Sequence, residues 1–190
     1  AVAAATSTVA GLTSPQIGAL TATALNALTS TEIAALTQTQ ISGLTAAQIA
    51  GLNAAAFGAL TGAQIGYLNS TQIGAVNTTG LATLTATELS ALSATQVPGL
   101  KATQLAAITT TQLTGFSATQ VGLLATGALN ALTPTNFVSL TTTQFQGVNA
   151  TQIAALTTTN FNVLNSTQIG NFTTTQVAAL NADELLALTD

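Results

Sequence analysis

The chain has 190 residues, 47% of them hydrophobic and only 3% charged, with five acids against one cation and a formal net charge of −4. Without His, Cys or Met, and with Lys101 as its one cation, it lacks nearly all the side chains that perform acid–base, nucleophilic and metal chemistry. This composition argues against an enzyme and offers no catalytic, cofactor-binding or metal-binding residue. The lack of any cationic stripe argues against nucleic acid as a partner.

Although the mean hydropathy is +0.54, every stretch of eight residues carries Thr, Asn, Ser or Gln, and no run approaches 18 apolar residues. No transmembrane helix and no membrane insertion are expected. Ala1 to Ala5 lacks the cationic start and long apolar run of a secretory signal. Without cysteine the fold has no disulfide staples.

In chain order, residues 1–11 end in a degenerate octad, Ala4 to Gly11. From Leu12 to Ala187 the sequence divides into 22 octads without insertion or deletion (LTSPQIGA, LTATALNA, LTSTEIAA, LTQTQISG and onward to LNADELLA), and residues 188–190 form the C-terminal end. Such self-similarity is the signature of a repeat architecture, and no linker interrupts it. Position 1 is Leu in 17 octads and Val76, Ile108, Phe116, Val148 or Phe172 in the others, while position 6 is Ile, Leu, Val or Phe in all 22. Position 2 is Thr, Ser or Asn in 20 octads and position 5 is Gln, Glu or Asn in 18. Positions 7 and 8 are mostly small.

Positions 2 and 5 together spell Thr-x-x-Gln, as in Thr45 to Gln48 and Thr109 to Gln112. This is the capping box, in which the Thr oxygen accepts from the N–H three residues on and the Gln oxygen accepts from the Thr N–H. The spacing predicts a helix that starts at position 3 of each octad and runs about two turns. Pro15 falls in the first turn of its helix and Pro134 at the first helical position, where no N–H partner is lost. Pro98, at position 7, removes a bond from the middle of its helix, so that octad is expected to be shortened, tightened or bent.

The anchors at positions 6 and 1 lie three residues apart and then five. Three apart shares a helix face, whereas five apart rotates the next anchor about 140° at 100° per residue, so one continuous helix scatters its apolar stripe. The chain must turn at every octad. The expectation is an all-α solenoid of short capped helices, one per octad, with both anchors inward and the small residues where elements approach closely. The alternative is a β-solenoid, favoured by the many Thr, Ile, Val and Phe residues, but it places the position 5 amide and the position 1 anchor on one strand face. One octad buries two large side chains, about 1.5–3 kcal/mol each, against about 1.5 kcal/mol per residue for ordering it. Stability must therefore come from stacking.

Few groups remain for chemistry. Asp183 and Glu184 are adjacent and diverge on a helix, which suits charges at a helix start better than a cation site. The Asn-x-Ser/Thr triplets at Asn69, Asn77, Asn149, Asn165 and Asn171 are explained by capping at the first four, with glycosylation the lesser reading. Position 4 is Thr in 16 octads, and Thr71, Thr79, Thr87, Thr95, Thr103, Thr111 and Thr119 form a candidate binding ladder. Leu12, Ile17, Leu180 and Leu185 are candidate end-to-end contacts, because a solenoid leaves its terminal anchors open.

Runs such as LTTTQFQGVNATQIAAL (140–156) resemble the Thr/Gln/Ala/Leu octapeptide arrays of large secreted or surface-attached bacterial proteins of the adhesin-like kind, over nearly the whole chain. This resemblance implies an extracellular or cell-surface location and a stalk or fibre role, and assigns no binding residue. The segment LTPTNFVSL (132–140) is similar to the first helix of TAL-effector repeats, from which only a capped helix carries over. Two functions are in view: a structural, non-catalytic stalk, spacer or self-associating fibre subunit whose partner is itself, or a module that binds a glycan, ice or another solid surface through the Thr ladder.

Overall fold

The computed structural model describes residues 9–188, and among these it contains 21 α-helices of four to six residues, one 3₁₀ turn and no strand. Each of the 22 octads supplies one such element, so the fold is the all-α solenoid and the β alternative is overturned. The octad spanning residues 4–11 is described only from Val9 onward, and the end at 188–190 only at Leu188.

The helices begin at position 3, as the capping pattern requires. Thr45 Oγ1 accepts from Gln48 N at 3.2 Å, and Gln48 Oε1 accepts from Thr45 N at 2.7 Å. Asn69, Asn77, Asn149 and Asn165 cap in the same way through Oδ1. Lys101 and Ala125 do not cap through their side chains, and Thr13 makes no side-chain cap bond either. Pro15 and Pro134 sit in first turns, and around Pro98 the helix tightens to the 3₁₀ turn Val97–Gly99. There Val97 N still bonds to Ser93 O at 3.1 Å.

The helices are shorter than two turns because the chain leaves the helix at the next position 1. The N–H of that residue bonds back to the position 6 carbonyl, as Leu52 N does to Ile49 O at 3.2 Å. Position 1 is then extended (Leu52, φ −68°, ψ 135°) and so is position 2 (Asn53, φ −79°, ψ 171°). Two extended residues make each corner, and no described residue has a positive φ.

The chain divides into two compact units, residues 1–99 and 100–190. Within each, helices three octads apart are neighbours. In the first unit Ala22–Asn26 packs on Ala46–Gly51, which packs on Ser70–Ile73, which packs on Val97–Gly99. In the second, Ala102–Ala107, Thr126–Asn130, Ala150–Ala154 and Thr174–Val177 follow one another likewise. One superhelical turn is thus three octads, and each unit has three columns of stacked helices. Positions 1 and 6 fill the interior, from Ile41, Leu44 and Ile49 to Phe137, Leu140 and Phe145. Phe145 meets Phe137 edge-on at 6.1 Å and stacks on Phe172 at 5.2 Å.

Close stacking explains some of the glycines. At position 8, a Cβ on Gly147 or Gly99 would strike the backbone of Ala118 or Ser70, each at position 3 three octads earlier. Gly66, Gly127 and Gly170 face open space.

The caps make a direct prediction. Thr109→Ala removes the acceptor for Gln112 N and should lower unfolding stability by about 1 kcal/mol, while Thr110→Ala, at an exposed first helical position, should be near neutral. Urea titration of the two variants checks this, and equal losses at both sites contradict the capping assignment.

Candidate functional site

The most elaborate repeated arrangement is built on the position 5 glutamines. Each Oε1 closes the capping box of its own octad, so its Nε2 is left to find acceptors elsewhere. Gln48 Nε2 donates to Ile17 O at 2.8 Å and to Leu20 O at 2.7 Å. Gln64 does the same to Ile33 and Leu36, Gln96 to Ile65 and Leu68, Gln144 to Leu113 and Phe116, Gln152 to Val121 and Leu124, and Gln176 to Phe145 and Val148. The acceptors lie 31 and 28 residues back, at positions 6 and 1 flanking one corner of the previous turn. Those are carbonyls a helix end leaves unsatisfied. One buried amide thereby caps the helix it starts and closes the corner beneath it.

In three octads whose position 5 lacks a suitable amide, those of Ala56, Gly80 and Asn160, asparagine bonds to a neighbouring turn instead. Ala56 cannot complete a box, and Asn53 N is instead accepted by Asn26 Oδ1 at 2.9 Å, while Asn26 Nδ2 donates to Gly51 O at 2.8 Å. In the second unit Asn160 is too short for the box, and Asn130 repeats the device, accepting from Thr157 N and donating to Ala155 O. Gly80 is likewise bare, and Asn77 Nδ2 takes over two carbonyls of the corner below, Ala50 at 2.9 Å and Leu52 at 2.7 Å. A small apolar gap lined by Leu25, Leu28 and Ala56 remains where a Gln at position 56 would have reached.

The acids at position 5 keep the box but lose the donor. Glu32 Oε2 accepts from Thr29 N and Thr29 Oγ1, both at 2.7 Å, and these bonds, the backbone one first, hold its carboxyl below the usual range. Its ionised form is thus favoured in the folded chain. That contribution is present above the unfolded value and is lost as pH falls through the lowered folded value. Glu184 accepts from Asn181 N at 2.8 Å through Oε2, whereas its Oε1 is buried with no partner. A Gln there would meet the carbonyls of Ile153 and Leu156 by the 31 and 28 spacing. Glu184→Gln should therefore raise unfolding stability by about 1–3 kcal/mol, since an unsatisfied buried oxygen is replaced by a paired donor. Urea unfolding measures it, and a loss of stability contradicts the assigned register.

All seven members of the Thr ladder, Thr71, Thr79, Thr87, Thr95, Thr103, Thr111 and Thr119, are exposed. Successive members do not share a column, because stacked neighbours are three octads apart. In the second unit the helices that carry Thr111, Thr135 and Thr159, namely Thr110–Leu113, Pro134–Val138 and Thr158–Phe161, pack one on the next in a single column. The sequence pattern does not display this column, because it leaves the number of octads per turn undetermined.

The candidate end contacts separate into two kinds. Ile17 is 0% exposed, so its expected role as an open anchor is corrected: it belongs to the core, and the corner at Ile17 is closed by Gln48. Leu12 and Leu180 are half-buried, and Leu185 is 50% exposed. Sequence reasoning missed Val177, Leu186 and Leu188, which are exposed beside it.

No cluster of three or more potential metal ligands and no helix long and apolar enough to cross a membrane occurs among the described residues. No family model, no curated protein and no solved structure matches the chain.

Proposed function

We propose that the chain is a structural, non-catalytic repeat protein of an extracellular or cell-surface setting, a stalk, spacer or fibre subunit. The observation that carries this reading is the self-contained octad. Its backbone and its buried amide are satisfied within the stack, and its outward faces display hydroxyls, methyls and small residues with almost no charge. Such a unit extends by simple addition, because each turn contacts only its neighbours. The resemblance to adhesin-like octapeptide arrays supports the same role and location.

Inserting one further turn, three octads, into either unit should lengthen the molecule by about 8–10 Å, the spacing of packed helices, without changing helicity per residue. Small-angle X-ray scattering on chains with one, two and three added turns tests it. A longest dimension that does not grow with added turns overturns the spacer reading. The exposed Thr111, Thr135 and Thr159, carried on one column of helices, favour a second reading, binding to a glycan or solid surface. Retention on crystalline polysaccharide that is lost in Thr135→Lys would support it.

A further inference from the structure

Asn69, Asn77, Asn149, Asn165 and Asn171 each open an Asn-x-Ser/Thr triplet, the acceptor pattern of N-glycosylation, and the structure separates them. At position 2 an asparagine caps its helix through Oδ1, and this leaves Nδ2, the atom a sugar would join, to other uses. The fate of that nitrogen differs from site to site. Asn77 Nδ2 donates to Ala50 O and Leu52 O at 2.9 and 2.7 Å, and Asn149 Nδ2 donates to Gly122 O at 2.9 Å. Both are held against the preceding turn. Asn171, at position 8, donates from Nδ2 to Thr167 O at 2.7 Å, and the hydroxyl of its triplet, Thr173 Oγ1, is engaged by the N–H of Gln176.

Asn69 and Asn165 differ, and they open one and the same hexapeptide, Asn-Ser-Thr-Gln-Ile-Gly, at residues 69–74 and 165–170. Their Oδ1 atoms accept from Gln72 N and Gln168 N, each at 2.9 Å. By the spacing found at Asn77 and Asn149, their Nδ2 would donate to the carbonyl 27 residues back. That carbonyl is Ser42 O or Val138 O, and it already receives Nε2 of Gln72 at 3.5 Å or of Gln168 at 3.1 Å. Nδ2 of Asn69 and of Asn165 therefore has no partner among the described residues. Both asparagines are exposed, as are Thr71 and Thr167, the hydroxyls of the two triplets. The backbone is extended at each, φ −83° and ψ 172° at Asn69, φ −85° and ψ 164° at Asn165, so the side chain stands at a corner of the solenoid.

We propose that Asn69 and Asn165 are N-glycosylation sites that accept a sugar on the folded chain, whereas Asn77, Asn149 and Asn171 do not. In the transfer the bond from the sugar's anomeric carbon to the phosphate of an activated donor breaks, and the phosphate departs with the bonding electrons. The carbon bonds to Nδ2, and the displaced Nδ2 proton passes to a base of the transferase. The product retains the Oδ1 carbonyl and with it the cap, so the octad loses no internal bond. At Asn77 and Asn149 a sugar would crowd the turn to which the nitrogen is bonded. The assignment goes beyond the stalk reading and does not depend on it.

The test uses the folded 190-residue chain, UDP-glucose and a soluble asparagine glycosyltransferase selected for activity on the free hexapeptide Asn-Ser-Thr-Gln-Ile-Gly. Intact-mass spectrometry should show two added hexoses, which fragmentation places on Asn69 and Asn165. Asn69→Thr and Asn165→Thr install the commonest position 2 residue and so keep a capping oxygen. Each should remove one hexose, and the double variant both. Circular dichroism of the modified chain should match that of the parent, because the caps persist. A folded chain that takes up no hexose overturns the proposal, and so does transfer to Asn77, Asn149 or Asn171 as fast as to Asn69 and Asn165. A loss of helicity that tracks the added sugar overturns it as well, since cap and sugar then compete. Each of these failures leaves the spacer reading to its own test of length.

Discussion

Replacing Gln152 by Ala should remove about 3–5 kcal/mol of unfolding stability, the largest loss expected from any exchange at a polar position. The side chain is 1% exposed and serves three buried backbone groups at once. Its Oε1 accepts from Asn149 N at 2.8 Å, and its Nε2 donates to Val121 O at 3.0 Å and Leu124 O at 2.7 Å. Each group deprived of its partner in a dry interior is destabilising by about 1–3 kcal/mol, and local relaxation recovers part of the sum. The cap itself survives, because Asn149 Oδ1 accepts from the backbone N–H of residue 152, so the loss reports on the amide. Gln152→Glu keeps the acceptor and loses both donations, which places it between Ala and the parent. Gln146→Ala, at an exposed position, should fall within about 0.5 kcal/mol of the parent. Chemical denaturation of the three variants gives the ranking, and a Gln152→Ala loss no larger than that of Gln146→Ala contradicts the ladder.

Gly80→Gln should destabilise by about 3 kcal/mol, although it restores the commonest residue at position 5. The reason lies 23 residues earlier, at Phe57, whose ring takes the room an ordinary position 6 side chain leaves. A Cβ on Gly80 would lie 3.1 Å from Phe57 Cγ and 3.3 Å from Cβ and Cδ1, so a whole Gln side chain overpacks the core. Phe57→Ile together with Gly80→Gln recreates the Ile and Gln pairing found elsewhere and frees the path of the amide to the carbonyls of Ile49 and Leu52. The double variant should therefore be more stable than the sum of the single changes by about 1–3 kcal/mol, a coupling typical of residues in contact. Additive losses would show that the two positions are not packed together.

These pairs mark the boundary of what the octad sequence conveys. The capping box, the start of each helix at position 3 and the tightening at Pro98 follow from interactions within eight residues, and all were legible. The second bond of the glutamine was not. Its acceptors are backbone carbonyls, which have no side-chain signature, and they lie 28 to 31 residues away, a distance fixed only when three octads close a turn. The same uncertainty hid the Thr-bearing column and placed Ile17 at an open end. One long-range signal was present in the letters: Asn26 precedes Ala56 by 30 residues, and Asn130 precedes Asn160 by the same interval. Each is a position 7 asparagine matched to a position 5 residue unable to complete its box, and the recurrence specifies which octads are neighbours.

The central claim is that the position 5 glutamines are buried, bifunctional links between successive turns. Hydrogen exchange of the glutamine side-chain amides, resolved by nuclear magnetic resonance, tests it most directly. The Nε2 protons of Gln48, Gln64, Gln144 and Gln152 should exchange slowly and show through-space contacts to residues 28 to 31 positions earlier, while those of Gln16, Gln38 and Gln146, all exposed, exchange as freely as in an unstructured peptide. A single fast-exchanging population of all glutamine amides, with no such contacts, would contradict it.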